Sequence, residues 1–168
     1  MDRVDLLLNS LQDFYKNEEY MKKIVDIMNK KSDISRRLLD WFVTNYSKKY
    51  RIFLNNNDID VYQDYKLKLK SFGKVNFDPF CRETRVKFQY DSENKDNYIE
   101  TSPGQLCFFK WCLDSKILDY VKENVADIKK DMKQSLEKSQ STDKTKRQYS
   151  VSISKSILRK KMTKSVKF

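Results

Sequence analysis

No histidine occurs among the 168 residues, and that absence removes Ser-His-Asp and Cys-His catalysis together with every His-based metal site. Glycine is almost as scarce. Gly73 and Gly104 stand alone, whereas a dinucleotide fingerprint or a P-loop needs several glycines within a few residues so that backbone can approach phosphate. The three cysteines, Cys81, Cys107 and Cys112, are an odd number without the spacing of a disulfide framework, and they are too few for a four-thiolate zinc site. No catalytic residue, metal site or cofactor is expected. Acidic or basic side chains interrupt every apolar cluster, so no run approaches the ~20 residues that span a bilayer, and integral membrane insertion is not expected. The start, Met1-Asp2-Arg3-Val4-Asp5, lacks the basic flank and apolar stretch of a signal peptide, which reads as an intracellular, reducing location.

Positive charge is abundant and unevenly placed. Residues 144–168 hold nine cations and no acid, leaving +2 of the total of +11 for residues 1–143. A body near neutrality with a strongly basic end concentrates attraction for phosphates or acidic surfaces at that end. Hydrophobic residues make up 39% of the chain and aromatics 13%, enough to give one domain a core.

Apolar periodicity predicts helices from Val4 to Phe14 and from Met21 to Met28, separated by the polar Asn17-Glu18-Glu19. A third helix is expected from a start at Ser32, with Ile34, Leu38, Trp41 and Phe42 on one face; it reads as the centre of the core. Asn55-Asn56-Asn57-Asp58 is a loop with Asp58 as the expected N-cap of a fourth helix, which Gly73 terminates. Val86, Phe88 and Tyr90 alternate with polar residues, and Tyr98-Ile99-Glu100-Thr101 is again extended, which predicts a β-hairpin near residues 85–101. Ser102-Pro103-Gly104-Gln105 is the clearest helix start, with Ser102 as N-cap, Pro103 at the first helical position and Gln105 placed to bond back in a capping box. Leu118, Val121, Val125, Ile128 and Met132 step in threes and fours, the seam of a long helix over residues 115–137 that could serve core packing or self-association. The fold class is therefore mainly α with a small β-hairpin (α+β): a helical domain over residues 1–138, then a Ser/Thr/Lys-rich linker and basic amphipathic tail over residues 139–168, expected to be disordered.

Asp78, Glu83 and Glu100 lie around the hairpin, where carboxylates alone could hold a nuclease metal, but their spacing fits no such motif and they read as surface charges paired with Arg82, Arg85 and Lys87. Arg36 and Arg37, with Lys48 and Lys49, interleave with Trp41, Tyr46 and Tyr50, the chemistry of a surface that meets phosphates and stacks bases. In the tail, Ile153, Ile157, Leu158, Met162 and Val166 would share one helical face opposite Lys155, Arg159, Lys160, Lys161 and Lys164, a basic amphipathic segment that could fold on binding.

The segments Arg36 to Tyr46, Tyr62 to Ser71, Phe77 to Arg82 and Gly104 to Trp111 together resemble a small uncharacterised protein family of large nucleocytoplasmic DNA viruses, the giant viruses. The resemblance covers roughly residues 15–132. It implies a viral setting, a virion or a factory in the host cytoplasm, and carries no activity or catalytic position with it.

The leading expectation is a non-catalytic, sequence-tolerant nucleic-acid-binding viral protein, with DNA the favoured ligand. Lys155, Arg159, Lys160, Lys161 and Lys164 are its expected contacts, and Arg36, Arg37, Lys48 and Lys49 a second patch. The alternative is a minor structural or adaptor protein of the virion whose tail docks on an acidic protein or membrane surface, with Ile157, Leu158 and Met162 as anchors.

Overall fold

Asn17 divides the first apolar stripe. Its side-chain oxygen accepts from the backbone N–H groups of Glu19 and Tyr20 at 3.0 and 3.3 Å, capping α2 (Glu18–Met28) directly after α1 (Arg3–Tyr15) ends. These helices open the computed structural model, which describes residues 3–82, 85–91, 93–94 and 96–141. The chain divides into two units, residues 1–129 and 130–168; in the second, the described residues 130–141 are helical.

The third helix starts at Ser35, whose hydroxyl accepts from the Leu38 N–H at 3.1 Å. The expected cap, Ser32, instead bonds the Ile34 N–H one turn earlier, at 3.2 Å. The helix runs as α3 (Arg36–Trp41), a π turn (Phe42–Tyr46) and α4 (Ser47–Tyr50) without a break. Two hydroxyls account for the π turn locally. Thr44 Oγ1 donates to the Asp40 carbonyl at 2.6 Å and Ser47 Oγ to the Val43 carbonyl at 2.9 Å, while the Ser47 N–H reaches back five residues to Phe42.

Arg51, at φ 48° and ψ 71°, ends α4 in the left-handed region. A short antiparallel pair follows that periodicity did not predict: β1 (Phe53–Leu54) and β2 (Ile59–Asp60), with Phe53 opposite Asp60. Asn55, Asn56 and Asn57 turn between them with φ of 51°, 57° and 72°, a conformation asparagine tolerates better than most residues. Asp60, two residues beyond the expected Asp58, caps α5 (Val61–Phe72) by accepting from the Gln63 N–H at 3.1 Å. Gly73 closes that helix as expected. The hairpin of β3 (Val86–Gln89) and β4 (Tyr98–Thr101) pairs Val86 with Thr101 and Gln89 with Tyr98.

The centre of the core is α6 (Pro103–Asp114), not the third helix. Between Leu106 and Leu113 only Lys110 is not apolar, so this helix is buried nearly all round, whereas Arg36, Arg37 and Asp40 give the third helix a solvated side. Phe77, Phe108 and Trp111 meet at ring centroid distances of 5.4 to 5.8 Å. Trp111 Nε1 donates to Asp64 of α5 at 2.6 Å, and Tyr15 ties α1 to α6 through its hydroxyl, 2.7 Å from the Leu106 carbonyl. Phe88 packs edge-on against Tyr15 at 5.8 Å, seating the hairpin.

Ser102 caps α6 as expected, accepting from the Gln105 N–H at 3.2 Å. The Gln105 side chain does not bond back to Ser102. Fully buried, it donates to the Pro79 carbonyl at 2.7 Å and accepts from the Thr101 hydroxyl at 2.8 Å, because the loop before the hairpin lies over the helix start. A Cβ at Gly104 would run into the Val75 carbonyl.

The long helix expected over residues 115–137 is interrupted. After the left-handed Lys116, α7 (Ile117–Glu123) ends at Asn124, and a separate helix, α8, covers residues 125–141. Leu118, Val121 and Ile128 of that seam are buried and serve the core, while Val125 and Met132 are half-buried. The fold is thus mainly α with a small antiparallel hairpin, as the sequence pattern predicts.

Candidate nucleic-acid interface

The π turn and α4 build the most distinctive basic surface among the described residues. Tyr120, Phe42, Tyr46 and Tyr50 form a ladder of rings with successive centroid distances of 5.5, 5.8 and 4.6 Å. It begins beside Phe42, which is fully buried, and ends at Tyr50, which is 50% exposed. At that outer end Lys49 Nζ stands 4.7 Å from the Tyr50 ring centroid, Lys48 Nζ 5.6 Å from that of Tyr62, and the Arg51 guanidinium 5.7 Å from that of Phe53. Each such contact at an exposed site contributes about 0.5–1 kcal/mol. Phe53 is itself 42% exposed. The Arg51 guanidinium also reaches Asp60 at 3.5 Å, while Lys66 extends the basic surface one helical turn beyond Tyr62 on α5.

Of the residues the sequence pointed to, Lys48 and Lys49 therefore lie together in this surface, exposed. Arg36 and Arg37 do not join them. They sit at the opposite end of the same continuous helix, and at ~1.5 Å per residue the separation is roughly 16–20 Å. Lys155, Arg159, Lys160, Lys161 and Lys164, together with Ile157, Leu158 and Met162, lie outside the described residues. Phe53 and Tyr62 were not anticipated as parts of the surface: Phe53 follows α4 directly in β1, and Tyr62 of α5 reaches α4 only through the β1–β2 turn. Trp41, read from periodicity as a core residue, is half-buried; Trp111 holds the core position.

Two of the three carboxylates around the hairpin are ion-paired. Glu100 meets Arg85 at 3.4 Å on the surface. Asp78 is buried, not superficial: Arg82 Nε contacts one of its oxygens directly and the Phe80 N–H donates to the other at 2.9 Å. Glu83 lies outside the described residues. Near Asp78, Asp40 has its carboxyl pushed up by burial and then by the Asp78 charge, and Tyr65 is raised to about 12, chiefly by burial and then by the same two carboxylates.

Burial governs the thiols as well. Cys107 is raised to about 11 and Cys112, fully enclosed, well above its ordinary value, so neither offers a thiolate nucleophile near neutrality. Among the described residues no helix is long and apolar enough to cross a membrane.

Uncharacterized protein L507 of Acanthamoeba polyphaga mimivirus is 38% identical over 160 residues, covering 90% of this chain and 61% of that protein. The chain thus spans less than two thirds of that relative's length. No solved structure gives a significant match. The viral relative accords with the resemblance to a giant-virus family, and the family match extends past residues 15–132 to include the basic tail. Because the model of the Family of unknown function (DUF7197) matches residues 1–166, the chain belongs to that family.

Proposed function

We propose that this chain is a non-catalytic, sequence-tolerant nucleic-acid-binding protein that works in the viral factory or the virion, with DNA as its principal ligand. Charge placement carries the reading: nine cations and no acid in residues 144–168, against +2 for all that precedes them. Such a segment binds by neutralising phosphates and releasing their counterions, which is indifferent to base sequence. The exposed Lys48 and Lys49 at the end of α4 add a second basic surface, and the raised thiols of Cys107 and Cys112 support a non-catalytic role.

The test is a salt series on the full chain with labelled DNA, beside a variant in which Lys155, Arg159, Lys160, Lys161 and Lys164 are replaced by Gln. If about six tail cations meet phosphates, log affinity falls with log salt at a slope of about −5, and the variant's slope is shallower by roughly four. No binding at low salt sinks the reading.

An adaptor role on an acidic protein or membrane surface is favoured by one specific feature, the shared spacing of Ile157, Leu158 and Met162. Replacing those three by Ser leaves phosphate neutralisation intact but removes apolar anchors. DNA affinity unchanged in that variant supports the nucleic-acid role, and DNA affinity abolished by it refutes the phosphate mechanism.

A further inference from the structure

We propose that the outer end of α4 is a stacking platform for single-stranded nucleic acid, on which Tyr50 and Phe53 take unpaired bases while Lys48, Lys49 and Arg51 meet the phosphates. The proposal rests on the nucleic-acid reading above and narrows it to a strand class and a defined surface.

Ring exposure is the first argument. Tyr50 is 50% and Phe53 42% exposed, three residues apart and flanked by cations. A duplex presents phosphates to such a surface but keeps the faces of its bases inside its own stack. Unpaired bases carry free π faces that can cover these rings, and base–aromatic stacking is tolerant of sequence because every base has such a face.

Spacing and order agree. Residues three apart are separated by at most about 10 Å of chain, and a stacked strand rises about 3.4 Å per nucleotide, so the backbone positions of Tyr50 and Phe53 lie within the span of about three nucleotides. The rings are fixed before any ligand arrives. Tyr50 ends a ladder whose inner member, Phe42, is fully buried, and Phe53 is held by β1–β2 pairing opposite Asp60. Lys49 Nζ and the Arg51 guanidinium stand over the rings of Tyr50 and Phe53 at 4.7 and 5.7 Å, so an arriving base takes their place on the ring and each exposed cation moves to the adjoining phosphate.

Acidic neighbours sharpen the distinction from duplex binding. Asp60 pairs with Arg51 at 3.5 Å, and Asp58 is exposed in the adjoining turn. They reduce the net positive charge, so charge alone holds a phosphate backbone weakly here and affinity depends on the rings.

The experiment compares the full-length protein with a Tyr50→Leu/Phe53→Leu variant, which keeps apolar bulk and removes the π faces. Fluorescence anisotropy is read on a short labelled oligothymidylate and on a labelled duplex of the same length. From roughly 5- to 150-fold per stacked base, the variant should lose about 25-fold or more on the single strand, yet stay within about twofold on the duplex. Phe53→Trp alone should keep the single-strand affinity, and Lys48→Gln/Lys49→Gln should weaken both ligands. Thermal unfolding of each variant checks that the fold is kept, as expected for exposed positions; if the double variant does not fold, single-strand binding by Phe53→Trp decides whether the platform stands. Single-strand affinity unchanged in the double variant, equal loss on both ligands, or lost binding in folded Phe53→Trp overturns the platform while leaving the tail reading standing. A wild-type protein that binds neither ligand overturns both.

Discussion

Replacing Gln105 by Leu tests whether the start of α6 is held by side-chain amide bonds or by apolar packing alone. Leucine nearly preserves volume, so little cavity is created and the loss falls on hydrogen bonding. Two bonds disappear: the one donated to the Pro79 carbonyl at 2.7 Å and the one accepted from the Thr101 hydroxyl at 2.8 Å. A neutral bond contributes about 1 kcal/mol net, and a buried partner left unsatisfied costs about 1–3 kcal/mol. The Thr101 hydroxyl has a fallback in the Ser102 carbonyl at 3.5 Å, so the penalty concentrates on the Pro79 oxygen, and the sum is roughly 2–4 kcal/mol. For a chain of this size that lowers the thermal midpoint by roughly 5–15 °C. Urea unfolding followed by tryptophan fluorescence and far-ultraviolet dichroism measures it. A Thr101→Val partner closes a double-mutant cycle, in which the two losses should fall short of additivity by about 0.5–1.5 kcal/mol, since each removes the same bond. A loss for Gln105→Leu below about 0.5 kcal/mol, or strict additivity in the cycle, refutes the reasoning.

Gly104→Ala should destabilise by about 1–3 kcal/mol in chemical unfolding, because its Cβ meets the backbone oxygen of Val75, which cannot rotate away as a side chain would. Gly73→Ala has open space around it but sits at φ 77° and ψ 157°, so it should cost about 1–3 kcal/mol through strain alone. A thiol-specific disulfide reagent at mildly alkaline pH should modify the half-buried Cys81 in the native protein and reach Cys107 and Cys112 only in denaturant. Rapid native labelling of all three would contradict the burial. Asp40→Asn should raise the unfolding midpoint at neutral pH: a carboxyl whose folded value lies above its unfolded one is favoured in its protonated form, so the charged form penalises folding. The gain should fade as pH drops below the ordinary carboxylate value, where the native side chain is neutral in both states; a gain that grows on acidification would reverse the sign.

Features written in local chemistry were legible from the sequence. Ser102-Pro103 capped α6, Gly73 closed α5, and the alternation at Val86 and Phe88 became β3, which stops one residue short of Tyr90. Features that depend on a distant partner were not. Gln105 has the spacing of a capping box, yet its oxygen accepts from the Thr101 hydroxyl in place of the Ser102 N–H, and its amide donates to the Pro79 carbonyl of the loop that lies over it. The π turn rests on Thr44 and Ser47 choosing backbone carbonyls four residues back, and periodicity cannot report that choice. For the candidate surface, Lys48 and Lys49 were named from their aromatic neighbours, but Tyr62 becomes a neighbour only after the Asn55–Asn57 turn reverses the chain. Arg36 and Arg37 show the opposite error: proximity in sequence became distance along one rigid helix.

A π turn holds one residue more than an α turn, so everything after it is rotated by about 100° from where an uninterrupted helix would carry it. Ser47–Tyr50 owes its direction to that added residue. Closing the turn to α geometry with every residue kept would swing Lys48, Lys49 and Tyr50 around the axis, away from Tyr62 and Phe53, whereas losing one residue between Phe42 and Tyr46 would turn the Ser47-to-Phe42 bond into an ordinary α bond and leave their bearing as it is. The bearing of the basic surface is thus set separately from the core that supports it. A change of hydrogen-bond register from π to α at this one turn re-aims the surface without redesigning the rest of the protein.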